Sequence, residues 1–175
     1  VNSWQNPALQ GMHDIYYGTQ LPPNRVPIPL VKPDDRIGDT LFRCDLDRIA
    51  AIVVTDTPDR NLPFSAPDAS ALAIAGHLIE FFEHEVKMGR MPENLLPIQS
   101  GVGNIANAVL TGLMGSKFEN MTSYTEVIQD GMLDLMDCGK LRMASATAFS
   151  LSPEAALRIN ADMERYRDRM ILRPQ

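Results

Sequence analysis

Residues 95–110 read LLPIQSGVGNIANAVL, a short apolar run followed by a tight glycine turn and a second apolar stretch with helical spacing. The run at 95–99 predicts a strand, and the spacing from Asn104 to Met114 predicts a helix. Glycines in the turn let backbone amides approach a ligand, and free amides at a helix N-terminus favour negative charge. The turn therefore either binds an anion or serves only to connect the two elements.

Strand-like and helix-like segments alternate through the chain after residue 67. Asp68 is a good N-cap for an amphipathic helix that runs to Met88, and Ser152 followed by Pro153 marks the start of another helix. Strands are predicted at 121–125 and 141–149, and a helix at 130–138. Alternation with short connections implies right-handed crossovers, so the predicted class is α/β, a mainly parallel sheet flanked by helices on both faces. The apolar stripe predicted for the first helix consists of Leu72, Ala75, Ile79, Phe82 and Val86.

The first part of the chain has a different pattern. Residues 49–55 are apolar and partly β-branched, which predicts a buried strand of a parallel sheet. Residues 56–67, DTPDRNLPFSAP, contain three prolines and several turn formers, the composition of a linker between domains. Residues 1–50 are rich in proline and lack clear periodicity, so the chain is expected to be part of a longer protein.

Composition excludes several classes of function. The chain has 175 residues, 45% of them hydrophobic and 22% charged, with a net charge of −6. Its 16 basic residues form no run or stripe, so a nucleic acid partner is not expected. No apolar stretch approaches the roughly 20 residues of a membrane helix. Cys44 and Cys138 lack the paired spacing of a metal knuckle or redox motif, which predicts reduced thiols and a cytoplasmic location.

A second segment, SYTEVIQDG at 123–131, places Glu126 where a strand is predicted to end, and so at the mouth of the sheet. A carboxylate is a poor nucleophile in water, but one that is aligned and partly desolvated can form acyl intermediates. The alternative is a solvated or salt-bridged glutamate at a strand end. The position of Glu126 alone leaves both readings open.

A dinucleotide site is a competing interpretation of the same residues. Gly101, Gly103 and Ala106 fit the fingerprint G-x-G-x-x-A of a Rossmann domain, and Glu126 ends the next strand-like stretch. In that fold the acidic residue that binds the ribose lies about 20 residues further on. Glu126 is 25 residues past Gly101, which weakens this interpretation.

Two groups of residues have spacings compatible with a metal ion, and neither is predicted to bind one. His77, Glu80 and His84 share a helix face, but that face is the polar one and no fourth ligand is evident. An acidic series follows Glu126. The helix dipole accounts for its first member, and exposure to solvent is expected for the other two. The series consists of Asp130, Asp134 and Asp137.

Four stretches of the chain together resemble the acetyl-CoA hydrolase/transferase family, which includes succinyl-CoA:acetate CoA-transferases. They are IVVTDTPDR at 52–60, QSGVGNIANAVL at 99–110, YTEVIQDGMLDL at 124–135 and MASATAFSLSPEAALRINADM at 143–163. The resemblance covers essentially the whole chain and implies the CoA-transferase (NagB/RpiA-like) fold. It implies an internal fragment, with the C-terminal part of a first domain at 1–55, a linker at 56–67 and the N-terminal part of a second domain at 68–175.

The resemblance also implies roles for individual residues. Glu126 matches the family's nucleophile, and the backbone amide of Val102 matches a donor to the oxyanion. Arg60 matches a residue thought to hold the acceptor carboxylate, a task that suits a guanidinium group. Gly101, Gly103 and Asn104 belong to the substrate-binding loop.

The implied reaction is ping-pong transfer of CoA between acetyl-CoA or succinyl-CoA and acetate or succinate, through an acyl-glutamyl anhydride and a glutamyl-CoA thioester. CoA is then a substrate, and no metal or tightly bound cofactor is required. The implied partners are acyl-CoA and small carboxylates, and the implied full-length enzyme is a homodimer, cytoplasmic or in the mitochondrial matrix of a eukaryote. The fragment alone is expected to be inactive. The alternatives are an acetyl-CoA hydrolase and a dinucleotide-binding Rossmann domain.

Overall fold

Parallel strands and helices alternate in the computed structural model, which describes residues 7–55, 57 and 66–174. Within that part the elements are α1 (Ala69–Lys87), α2 (Asn104–Gly115), β1 (Met121–Tyr124), β2 (Val127–Ile128), α3 (Asp130–Asp137), β3 (Leu141–Ala146), β4 (Ala148–Phe149), α4 (Pro153–Ala161), α5 (Met163–Arg167) and β5 (Met170–Leu172). The predicted α/β class with parallel pairing is confirmed. No helix among these residues is long and apolar enough to cross a membrane.

The main sheet has the order β1-β3-β5, with both pairs parallel. A second parallel pair, β2 and β4, continues beyond the ends of β1 and β3. Ile98 adds a single parallel bridge to Ser123 on the outer edge of β1. The carboxyl ends of β1 and β3 therefore lie side by side, and the residues that follow them are neighbours.

The predicted helix starts are confirmed by their hydrogen bonds. The Asp68 side chain accepts from the Ala71 amide at 2.8 Å, and the Ser152 side chain accepts from the Ala155 amide at 3.2 Å. Each side-chain oxygen satisfies an amide that has no partner inside its helix. The buried face of α1 differs from the predicted stripe, because Ala71 is buried and Leu72 is exposed.

One core joins the sheet, α2 to α5 and the first described residues of the chain. Leu9 and Met12 belong to the same buried cluster as β1, β3 and β5. Residues 12–14 lie along the outer edge of β5: the Leu172 amide donates to the Met12 carbonyl at 2.9 Å, and the Asp14 amide donates to the Leu172 carbonyl at 2.9 Å. This early segment thus covers the edge of the sheet that β5 would otherwise expose.

Two predicted strands are wrong in this structure. Residues 49–55 form no strand, and Ile52, Val53 and Val54 are exposed. A strand requires a neighbour to bond with, and no described residue pairs with this segment. Residues 95–99 make only the Ile98 bridge, since Leu95 has a positive φ of 57° and Pro97 has no amide to donate.

Candidate functional site

The glycine turn at 100–104 borders a cavity of about 670 Å³. Residues 98–106 line one part of it, and an apolar wall is made of residues from α1 and α2. The apolar wall comprises Leu78, Phe82, Val109, Leu110 and Leu113. A largely apolar pocket with a few polar backbone groups on one side is the usual form of a small-molecule site.

Gly103 is the N-cap of α2 and has a φ of 140°, a conformation that L side chains rarely adopt. As a glycine it offers no capping side chain, so the first turn of α2 faces the cavity without one. Val102 is 62% exposed, and its backbone amide donates no hydrogen bond to any residue that the structure describes. The turn therefore offers backbone donors to a ligand in this cavity.

Side chains from the segment around Glu126 hold this turn in place. Thr125 Oγ1 donates to the Ser100 carbonyl at 3.1 Å and accepts weakly from the Ser100 amide at 3.4 Å. Gln129 Nε2 donates to the Gly101 carbonyl at 2.8 Å. The two segments that the sequence singled out are thus in direct contact. Thr125 and Gln129 were not singled out, although a buried polar residue within an apolar segment is a usable signal.

Glu126 follows the end of β1 and lies beside the end of β3. Its carbonyl accepts from the Thr147 amide at 2.9 Å and from Thr147 Oγ1 at 2.6 Å. The residue is exposed, and its carboxylate forms no ion pair with the residues described. Glu126 lies outside the wall of the 670 Å³ cavity, while its neighbour Thr125 contacts the turn that forms that wall.

A second cavity, of about 340 Å³, lies at the carboxyl ends of β1 and β3. Thr125 and Thr147, which flank Glu126 in space, line it together with Tyr124, Ser145 and Arg25. Arg173 also lines it, but the guanidinium group of that residue is occupied by an ion pair with Asp14. Ser100, the partner of Thr125, therefore borders the first cavity, and Thr147, the partner of Glu126, borders the second.

Of the remaining candidates, one lies outside the described residues and the others lie on an exposed helix face. Arg60 lies outside the described residues. His77 Nδ1 is 3.5 Å from Glu80 Oε2 on an exposed helix face. In the described part of the chain, no three His, Cys, Asp or Glu side chains are grouped so as to hold a metal ion.

The acidic series after Glu126 supports the packing of helices. Asp130 accepts from the Ser152 amide at 2.9 Å. The Asp134 side chain is 39% exposed, as expected, and lies 2.8 Å from Arg158, whereas Asp137 is only 23% exposed and accepts from the Tyr166 hydroxyl at 2.9 Å. Burial, together with the bond to Asp137, raises the pKa of Tyr166. These carboxylates thus connect α3 to α4 and α5, because each has a partner there.

Comparison with known proteins assigns the chain to a family. An acetyl-CoA hydrolase of Neurospora crassa is 51% identical over 169 residues, 97% of this chain and 32% of the relative. A succinyl-CoA:acetate CoA-transferase of Clostridium kluyveri is 47% identical over all 175 residues, again 32% of the relative. The chain belongs to the acetyl-CoA hydrolase/transferase family. An acetyl-CoA hydrolase of Saccharomyces cerevisiae, 46% identical over 169 residues, is a further relative in the acetyl-CoA hydrolase/transferase family.

The chain spans about 32% of the length of these curated members of the acetyl-CoA hydrolase/transferase family. No family model matches it. The expected resemblance is confirmed, and the relatives are named as enzymes that act on acyl-CoA thioesters. The alignments include residues on both sides of the glycine turn and Glu126, since they cover 97–100% of the chain.

Proposed function

We propose that these 175 residues are an internal part of a longer CoA-transferase, called below the full-length protein, and that Glu126 is its nucleophile. One observation carries the proposal. Thr125 and Gln129 hold the glycine turn by hydrogen bonds to Ser100 and Gly101, so the segment that carries the Glu126 carboxylate contacts the turn that carries the unbonded Val102 amide. Attack by a carboxylate on a thioester requires these two groups together, since the amides stabilise the oxyanion that forms.

The proposed reaction is ping-pong transfer of CoA. Glu126 attacks the thioester carbonyl, the CoA thiolate leaves, and an acyl-glutamyl anhydride forms. The thiolate then attacks the glutamyl carbonyl, which releases the first carboxylate and leaves a glutamyl-CoA thioester. An acceptor carboxylate attacks this thioester, and the returning thiolate completes a new acyl-CoA and restores Glu126. Acetate and succinate, with their CoA thioesters, are the proposed substrates, because the relatives' names specify these acids.

The site residues have distinct proposed roles. The Val102 amide donates to the thioester oxygen, while Gly101, Gly103 and Asn104 shape the turn that receives the substrate. Such a donor is typically worth a factor of about 10²–10³ in rate. Arg60 holds the acceptor carboxylate through its planar guanidinium group. In the full-length protein we place residues 1–55 at the end of one domain with the CoA-transferase fold, 56–67 in the linker and 68–175 at the start of a second such domain.

Hydrolysis of acetyl-CoA is a second candidate function. Several relatives are named acetyl-CoA hydrolase, and Glu126 is exposed, so water can reach an acyl group attached to it. Turnover that depends on added acetate or succinate indicates transfer, and turnover without any added carboxylate indicates hydrolysis. A dinucleotide site has less support, because the relatives are named for CoA chemistry. Calorimetric titration with CoA and with NAD separates that reading from the other two.

The test of the proposal is Glu126→Ala in the full-length protein. We expect transfer to fall below a thousandth of the wild-type rate, because the residue forms the covalent bond. Mass spectrometry after incubation with acyl-CoA should find a CoA adduct on the wild-type peptide that contains Glu126 and none on the variant. Glu119→Ala, at another exposed glutamate, is the matched control and should keep full activity. Transfer by Glu126→Ala above that threshold contradicts the assignment.

A further inference from the structure

Gln129 is a polar side chain in a fully buried place. It is 0% exposed at the N-cap of α3, and it crosses to the glycine turn, where Nε2 donates to the Gly101 carbonyl at 2.8 Å. Its Oε1 atom is buried and has no hydrogen-bond partner among the described residues. An apolar side chain of similar length would fill this space without burying an unpaired acceptor. The packing of the core therefore does not account for an amide here.

The bond to Gly101 constrains the next amide. Gly101 and Val102 are joined by a planar peptide unit, in which a trans arrangement directs the carbonyl and the N–H to opposite sides. Because residues 101 and 103 are glycines, which lack a Cβ atom, they do little to restrict the orientation of this peptide unit. Fixing the Gly101 carbonyl against Gln129 therefore fixes the direction of the Val102 N–H, away from Gln129.

We propose that Gln129 is a positioning residue, which sets the direction of the Val102 amide and so prepares the oxyanion site; this inference rests on the proposed function. The hydrogen bond also polarises the peptide unit, because bonded groups in a chain strengthen one another. Gln129 lies three residues after Glu126, so one segment carries the nucleophile and also holds the oxyanion donor. Only three positions of backbone therefore separate the nucleophile from the side chain that holds the oxyanion donor.

The chemistry requires a donor at this position. A flipped amide would bring Oε1 against the Gly101 carbonyl, where two acceptors would repel each other. Burial favours the protonated form of a glutamate here, so Gln129→Glu keeps both the volume and a donor and serves as the conservative variant. Gln129→Met removes donor and acceptor together, along with the unpaired Oε1 atom. Gln129→Met is therefore the variant that tests the bond.

The experiment measures transfer and adduct formation in the full-length protein. For Gln129→Met we expect kcat, per site that can form the Glu126 adduct, to fall about 10–100-fold, less than the loss of a whole donor, whereas the protonated Gln129→Glu should stay within a few-fold of wild type. KM for acyl-CoA should stay within about 3-fold, because the change acts on the transition state. Ser123→Ala is the matched control. It removes a bond from the same segment to the Ile98 carbonyl, 2.9 Å away, and should leave the rate per site unchanged.

A double-mutant cycle with Gly103→Val shows whether the two residues act on the same group. If both misdirect the Val102 amide, the double variant loses less than the product of the two single losses. Losses that multiply would overturn the inference. A Gln129→Met protein that has fewer active sites but an unchanged rate at each site would overturn it as well. A wild-type protein that forms no Glu126 adduct would overturn the proposed function as well. An adduct in the wild type with an unaffected Gln129→Met rate would overturn only the role of Gln129.

Discussion

Gly101 and Gly103 stand two residues apart in the same turn, and only one of them requires glycine. Gly103 has a φ of 140°, whereas Gly101 does not have a positive φ. A Cβ built at either position meets no atom within 4 Å. A side chain at 103 is therefore unfavourable because of the backbone conformation. A Cβ there would have enough space, so steric crowding is not the reason.

At the residue scale we predict that Gly103→Val lowers kcat for transfer by about 10²–10³, since a relaxed backbone no longer directs the Val102 amide at the oxyanion. Gly101→Ala is the matched control and should keep a rate within a few-fold of wild type. Val102→Ala should do the same, because that side chain is exposed. Steady-state kinetics over a range of acyl-CoA concentrations give both constants. A defect that disappears at saturating acyl-CoA would indicate that the turn binds a pyrophosphate.

The contact between α2 and α3 also depends on a glycine, for a different reason. A Cβ at Gly131 would lie 3.0 Å from Cβ and Cδ1 of Leu110. This distance is shorter than side chains accept without moving, and Leu110 is buried in the core. The close approach positions the start of α3, where Gln129 reaches the glycine turn.

At the element scale we predict that Gly131→Ala lowers the free energy of unfolding by about 1 kcal/mol. Overpacking costs about 1–3 kcal/mol, and the gain in helix propensity returns up to about 1 kcal/mol. Gly76→Ala, at an open position of α1, should instead raise stability by about 0.5–1 kcal/mol. Thermal unfolding of the two variants should therefore show midpoint shifts of opposite sign. A rise in both midpoints would show that α2 and α3 can separate to admit the methyl group.

The helices could be predicted from the sequence because the signals that start a helix are local. Asp68 and Ser152 each cap an amide three residues away, and both starts are confirmed. Strands depend on partners far along the chain. The segment at 49–55 has the composition of a strand but no described partner, while β5 is only three residues long and was not predicted. The strand β5 forms because it pairs with β3, although its own sequence is too short to show a strand pattern.

The same distinction applies to the candidate site. The glycine turn and Glu126 were predicted from short motifs, and their proposed roles stay predictions. Thr125 and Gln129 were missed, because their bonds to Ser100 and Gly101 join residues 25 and 28 positions apart. Such contacts follow from the parallel arrangement of Ile98 beside β1, which no local pattern shows.

Arg173 connects segments from the whole length of the chain. Its guanidinium group forms a buried ion pair with Asp14 and donates to Ser145 Oγ at 2.7 Å and to the Pro33 carbonyl at 3.2 Å. Asp14 in turn accepts from the amides of Ile37 and Gly38. The segment from Asp14 to Gly38 is thereby held against the sheet by one buried cation and its partner.

At the scale of the whole molecule we predict that Arg173→Met lowers the free energy of unfolding by about 3–5 kcal/mol, because Asp14 is left as an unpaired buried charge. Arg142→Met is the matched control. Arg142 pairs with Asp34 at 3.0 Å but is 51% exposed, so its loss should cost less than about 1 kcal/mol. Chemical denaturation of both variants provides the comparison. Equal losses would mean that the Asp14 pair is accessible to water.

The edge of the sheet that residues 12–14 cover determines the order in which the protein can fold during synthesis. Residues 12–14 leave the ribosome long before β5, which supplies their hydrogen bonds. At translation rates of about 5–20 residues per second, the nascent chain waits roughly 8–30 s for residue 172. Until β5 is in place, Leu9 and Met12 lack part of the core that buries them, so these apolar side chains stay exposed on the unfinished chain.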